Sequence, residues 1–206
     1  MFRGLILLCA ISLFLTWGCM GQRQERKPTV NRGKYLVTIA GCHDCHTPKV
    51  PGPNGAPLPD ASRLLSGHPE KEPSPSWSRE DLKQRAIAAA TNPMLTAWAG
   101  PWGVSYATNL TPDKETGIGE WSADMFIAAM RTGKHQGQPN GRDILPPMPW
   151  SNLNEARKSD LRSIWAYLRS LPPIRNQVPL PVPPGSAQAQ RRAVNGSNRA
   201  EKRSTS

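Results

Sequence analysis

The sequence predicts an all-α fold: about four short helices joined by long proline-rich loops in one small domain, residues 31–174. Three observations predict it. Proline is abundant, 22 of 206 residues, and it stiffens loops while excluding long regular elements. Apolar side chains recur at helical spacing in a few separated stretches. Little reads as strand, because Val/Ile-rich alternation is scarce.

Each element follows in order. In "NRGKYLVTIAGC" (31–42) Tyr35, Leu36 and Ile39 fall on one helical face, and the helix runs on into Cys42. Residues 47–76 hold eight prolines and read as stiff loop without regular structure. "SWSREDLKQRAIAAAT" (76–91) reads as the second helix, with Ser78 as N-cap, Asp81 at the capping-box position, and Asn92-Pro93 ending it. Residues 93–120 are loop again. Ser122 then caps "ADMFIAAMRTG", which Gly133 stops. The last helix, Glu155 to Ser170, presents Leu161, Ile164, Trp165 and Leu168 on one face before Pro172-Pro173. Residues 175–206 are polar and basic, with little to bury, and read as a disordered tail.

The formal charge of +11 is misleading as a whole-chain figure. Residues 1–30 carry four basic and one acidic side chain, and residues 175–206 carry six and one. The central 31–174 holds 16 basic against 13 acidic. A nucleic-acid module concentrates its cations on the folded body, so no nucleic-acid partner is expected.

The N-terminus predicts export. Met1-Phe2-Arg3 and the apolar run "GLILLCAISLFL" have the layout of a signal peptide, 1–19, followed by a polar spacer, 20–30. "TWGCM" places Cys19 where a lipoprotein signal carries its lipidated cysteine, although Trp17 is bulky for that motif. An uncleaved anchor and simple cleavage are the alternatives. The membrane is thus an expected partner, through a lipid or the N-terminal segment, on the periplasmic side of a bacterial membrane.

Of four cysteines, Cys9 and Cys19 belong to this leader, so the domain keeps Cys42 and Cys45. A disulfide over so short a loop would constrain almost nothing. Cys42-His43-Asp44-Cys45-His46 fits C-x-x-C-H, the attachment pattern of a c-type haem. Two thiols add across the porphyrin vinyl groups, and the following His46 is carried to the iron. A thioredoxin-like pair would follow a strand, and a structural zinc site needs a second ligand pair. His68 and His135 are isolated and read as surface residues, and His43 as solvated. For a sixth iron ligand, methionine is the usual partner in electron-transfer cytochromes. Met125 and Met130 lie on a short amphipathic helix and read as core filler, and Met20 lies in the spacer. Met94 follows a helix end. Met148, in "ILPPMPWSNL", is clamped by Pro146, Pro147 and Pro149 and is the stronger candidate.

"GKYLVTIAGCHDCHTPK", "YATNLTPDKETGIGEWSADMFIAAMRTGKHQG" and "LPPMPWSNLNEARKSDLRSIWAYLRSLPP" together resemble the monohaem, class I-like c-type cytochrome domains of bacteria. The last two are similar to cytochrome subunits serving membrane-associated dehydrogenases. The resemblance implies one covalent haem c, with Cys42 and Cys45 as thioethers and His46 and Met148 as axial ligands. It implies packing of Gly33 and Tyr35–Val37 against Trp165 and Leu168. It places Tyr106, Asn109 and Thr111 near the haem edge, where their polar groups would meet a propionate, with Arg131 and Trp102 as weaker contacts. Pro53 or Pro57 would accept a hydrogen bond from His46 through its carbonyl. The implied role is electron carriage without catalysis, between a dehydrogenase or other donor and a respiratory acceptor, with a dehydrogenase, an oxidase or another cytochrome as redox partner. The alternative is a haem enzyme or a gas or peroxide sensor with an open sixth site.

Overall fold

A computed structural model describes residues 27–73 and 88–184. Five α-helices form its frame: α1 (Val30–Ile39), α2 (Cys42–His46), α3 (Ala123–Thr132), α4 (Trp150–Asn154) and α5 (Lys158–Ser170). Thr29 caps α1 by accepting the Arg32 N–H at 3.1 Å, and Ser122 caps α3 by accepting the Met125 N–H at 3.1 Å. These side chains satisfy donors that a helix start leaves open.

The expected single helix into the motif is broken in two. Gly41 stands between α1 and α2 at φ +67°, a left-handed conformation open to glycine at little cost. The break turns the C-x-x-C-H stretch into a separate helical turn with its own direction.

Helices α1 and α5 pack together at Gly33. A Cβ built there would fall on the Ser163 carbonyl oxygen and 2.7 Å from Tyr167 Cβ. This close approach selects the buried face of α1. Gly33 and Val37 are inside, whereas Tyr35 and Ile39, expected on the apolar face, are 54% and 61% exposed. On α5 the expectation holds: Leu161, Ile164 and Leu168 are buried, with Trp165 partly so. Phe126, Ile127 and Met130 of α3 and Leu65 and Ile118 of the loops complete this core.

The fold is not all-α. The proline-rich segment forms a small antiparallel hairpin, β1 (Lys49–Pro51) with β2 (Pro57–Pro59). The loop expected at 93–120 contains most of a three-stranded antiparallel sheet: β3 (Ala90–Thr91), β4 (Ala97–Gly100) and β5 (Gly103–Tyr106). The strands are two to four residues long, too short for an alternation to show in sequence. Ala97, Ala99, Val104 and Tyr106 form a second, smaller core. Residues 74–87, which hold most of the helix expected at 76–91, lie outside the described residues, as do 1–26 and 185–206; the leader and most of the spacer and tail fall there.

Folded chain continues past 174. Val182 is buried in the second core and exchanges backbone hydrogen bonds with Val104, 2.8 and 2.9 Å. Asn176 donates from its amide to the carbonyls of Ser66 and His68, at 2.7 and 2.9 Å. A polar stretch with few apolar side chains is thus ordered by backbone and amide bonds.

Candidate haem-attachment site

The five-residue helix α2 carries the whole C-x-x-C-H motif. Residues 42 and 45 are three apart on a helix, so their side chains share a face. Both thiols are unpaired and partly buried, and Cys42 packs against the main core. Burial pushes the Cys42 thiol up to about 11 and Cys45 above its ordinary value. A redox or nucleophilic pair shows the opposite shift, since reactive cysteines are held as thiolates. Nor does the motif follow a strand, as a thioredoxin-like pair would. Among the described residues no three His, Cys, Asp or Glu side chains converge as metal ligands.

His46 is buried. Its Nδ1 donates to the Thr108 carbonyl at 2.8 Å, which fixes the tautomer and leaves Nε2 as the bare nitrogen of the neutral ring. Burial lowers its proton affinity, and the hydrogen bond to the Thr108 carbonyl opposes this only in part. The carbonyl expected from Pro53 or Pro57 is supplied by Thr108 instead. Both prolines are exposed in the β1–β2 hairpin region. A backbone acceptor 62 residues away leaves no residue-type signal. What delivers it is a three-way zipper: Gly67 N donates to His46 O, His68 N to Ala107 O, and Leu110 N to Leu65 O, each at 2.8 Å.

Thr47 and Lys49 flank the motif, and no sequence pattern marks them. Thr47 is fully buried; its Oγ1 accepts the Leu65 N–H and lies 2.9 Å from His43 Nδ1. His43 is therefore tied down, not freely solvated. Lys49 is 8% exposed, and its ammonium donates to the carbonyls of His43, Asp44 and Thr47 at 3.0, 2.9 and 2.5 Å.

Met148 is partly buried and packs against the same core as Cys42. Its loop is latched to β5: Ser105 Oγ donates to the Pro146 carbonyl at 2.5 Å and receives the Trp102 indole N–H at 3.2 Å. The other methionines are placed differently. Met130 is core, the Met125 sulfur accepts the Ser122 N–H at the start of α3, and Met94 lies in the turn between β3 and β4.

In the "YATNLTP" segment Asn109 is bonded within the fold. Asn109 donates to Thr116 Oγ1 and Ile174 O, while its Oδ1 accepts from Thr111 N and Oγ1. Its hydrogen-bonding capacity is spent inside the protein. Tyr106 is buried in the second core with its ring 4.9 Å from that of His68. Arg131 donates to the Ala156 carbonyl, and the Trp102 indole to Ser105. His68, expected at the surface, is wholly buried. Its Nε2 donates to the Glu72 carbonyl and its Nδ1 accepts from Thr96 Oγ1. His135 is half-buried, edge-on to Trp121.

Free thiols three apart, a buried imidazole with Nε2 bare, and an apolar core against Cys42 suit a covalently held haem. No protein-family profile matches the chain. Individual relatives do. The chain is similar to cytochrome c subunits of bacterial dehydrogenases. It is 27% identical over 161 residues, 75% of its length, to the fructose dehydrogenase cytochrome subunit of Gluconobacter japonicus. It is 28% identical over 153 residues, 74% of its length, to the gluconate 2-dehydrogenase cytochrome c subunit of Pantoea cypripedii. Half of it is 40% identical, over 118 residues, to one of the subunits of nicotinate dehydrogenase from Pseudomonas putida. The chain spans 25% of the length of the first two and 10% of the third. The similarity to two cytochrome subunits extends over about three quarters of this chain.

Proposed function

We propose that this chain is an electron carrier with a single covalent haem c, bound through Cys42 and Cys45 and ligated by His46 and Met148. The observation that carries the reading is the His46 ring: Nδ1 is committed to Thr108 O, so Nε2 is presented as a ligand nitrogen beside two thiols on one turn. A haem held there supplies a one-electron ferric/ferrous couple. The chain's own part is to orient the imidazole, keep water from the iron by its apolar core, and hold a thioether at the sixth position. Met148 is favoured over Met94 because its loop is latched to β5 and its side chain shares a core with Cys42.

With His46 and Met148 both holding the iron, no substrate would reach it, and the chain would act as a carrier. The relatives' names favour a dehydrogenase as donor; an oxidase or another cytochrome would be the acceptor. Such partners dock through small, weak interfaces. Export and tethering, through Cys19 lipidation or the N-terminal segment, rest on the sequence of residues 1–19. Among the described residues no helix is long and apolar enough to cross a membrane.

The test is the spectrum of the oxidised holoprotein. Methionine-ligated ferric haem gives a weak long-wavelength charge-transfer band, and Met148→Ala is expected to abolish it while Met94→Ala keeps it. Rapid cyanide or CO binding by the wild type, with no such band, would instead indicate an open sixth site and an enzyme or sensor.

A further inference from the structure

Lys49 occupies a place that a lysine rarely takes. Its side chain is buried, yet it makes no salt bridge among the described residues. A buried ammonium is costly unless each of its three N–H groups has an acceptor. Here all three go to main-chain carbonyls, those of His43, Asp44 and Thr47. The first two lie inside α2 and the third is its C-cap. The last carbonyls of a helix lack partners further along the helix, although His43 O here also accepts the Thr47 N–H at 3.3 Å, and a cation at that end is favoured by the helix dipole. In a helix of five residues, these carbonyls make up most of the acceptor end of the turn that carries both cysteines and His46.

We propose that Lys49 is a positioning residue of the haem-attachment turn, clamping α2 by its carbonyls and holding a fixed, buried positive charge beside the haem. The inference rests on the haem c reading. Two consequences follow from one side chain. The clamp keeps the two thiols and the imidazole in the mutual geometry that attachment needs. The charge favours the reduced iron, whose net charge is lower by one, so it raises the reduction potential. Burial shields this effect from salt, unlike that of a surface lysine.

The test uses the full chain, expressed with a haem c maturation system, as wild type and as Lys49→Met, Lys49→Arg and Lys34→Met. Lys34 is an exposed lysine on α1 and serves as a control. Lys49→Met is expected to reduce the fraction carrying covalent haem several-fold, read from denaturing gels. Its remaining holoprotein is expected to show a lower midpoint potential, with a shift that survives high ionic strength. Lys34→Met is expected to show neither change at high salt. If Lys49→Met yields no holoprotein, Lys49→Arg, which keeps charge and donors, is expected to recover it at a near-wild-type potential. A Lys49→Met protein with wild-type haem content and potential overturns the inference, as does Arg restoring no more haem than Met. Wild-type protein without covalent haem would defeat the function reading itself, before any comparison at Lys49.

Discussion

Ser105→Ala tests how the methionine loop is held. Ser105 is 8% exposed, and its hydroxyl is the middle of a chain: the Trp102 indole donates to it, and it donates to the Pro146 carbonyl, two residues before Met148. Alanine removes the latch without adding bulk. A hydrogen bond of this kind contributes about 0.5–1.5 kcal/mol net. At about 1.4 kcal/mol per tenfold, losing it shifts the balance between a closed and an open Met148 loop by roughly 2- to 12-fold. Exogenous imidazole competes for the sixth position only when the loop is open. Its apparent affinity for the oxidised Ser105→Ala protein is therefore expected to rise by that factor, with the long-wavelength band still present without imidazole. Unchanged imidazole affinity would refute the latch. The same rise from a substitution in α3 that is not bonded to the Met148 loop, such as Thr132→Ala, would also refute it.

Three further outcomes are expected. Gly33→Ala pushes a methyl into the Ser163 carbonyl and toward Tyr167, and forcing α1 from α5 is expected to cost about 1–3 kcal/mol in urea unfolding; an unchanged midpoint would contradict the contact. Thr47→Val keeps the shape but strands the buried Leu65 N–H, an expected loss of about 1–3 kcal/mol in the same assay. His68 is held below the ordinary value of 6.5, first by burial, so the folded state binds its proton less readily than the unfolded chain does. Its contribution is complete above that value and is lost as pH falls below it. His68→Gln is expected to flatten the decline in stability from about pH 7 to about pH 5, and a decline equal to wild type would contradict this.

The sequence was most legible where one residue type does one job. The C-x-x-C-H stretch sits on a single helical turn, the Leu161–Ile164–Leu168 stripe is the buried face of α5, and Ser122 and Gly133 bound α3. It was least legible where the backbone acts. The partner of His46 is a main-chain carbonyl, and any residue at 108 would present one. The strands are held by neighbours in space, not by alternation, and Gly41 divides a helix that apolar spacing alone runs together. Apolar spacing also named Tyr35 and Ile39 for the inner face of α1, because periodicity finds a face but not which face docks; the close approach at Gly33 decides that. Asn109 carries the chemistry of a ligand contact, yet its amide is consumed in holding Thr111, Thr116 and Ile174 together.

Haem carriage by this chain depends on covalent attachment through one helical turn. Intact-mass measurement under denaturing conditions, on protein made with a haem c maturation system, tests it most directly. A mass increase of one haem is expected for the wild type, retained in Met148→Ala and absent when Cys42 and Cys45 are both alanine. An unmodified wild-type mass, or a haem adduct that persists without both cysteines, would contradict it.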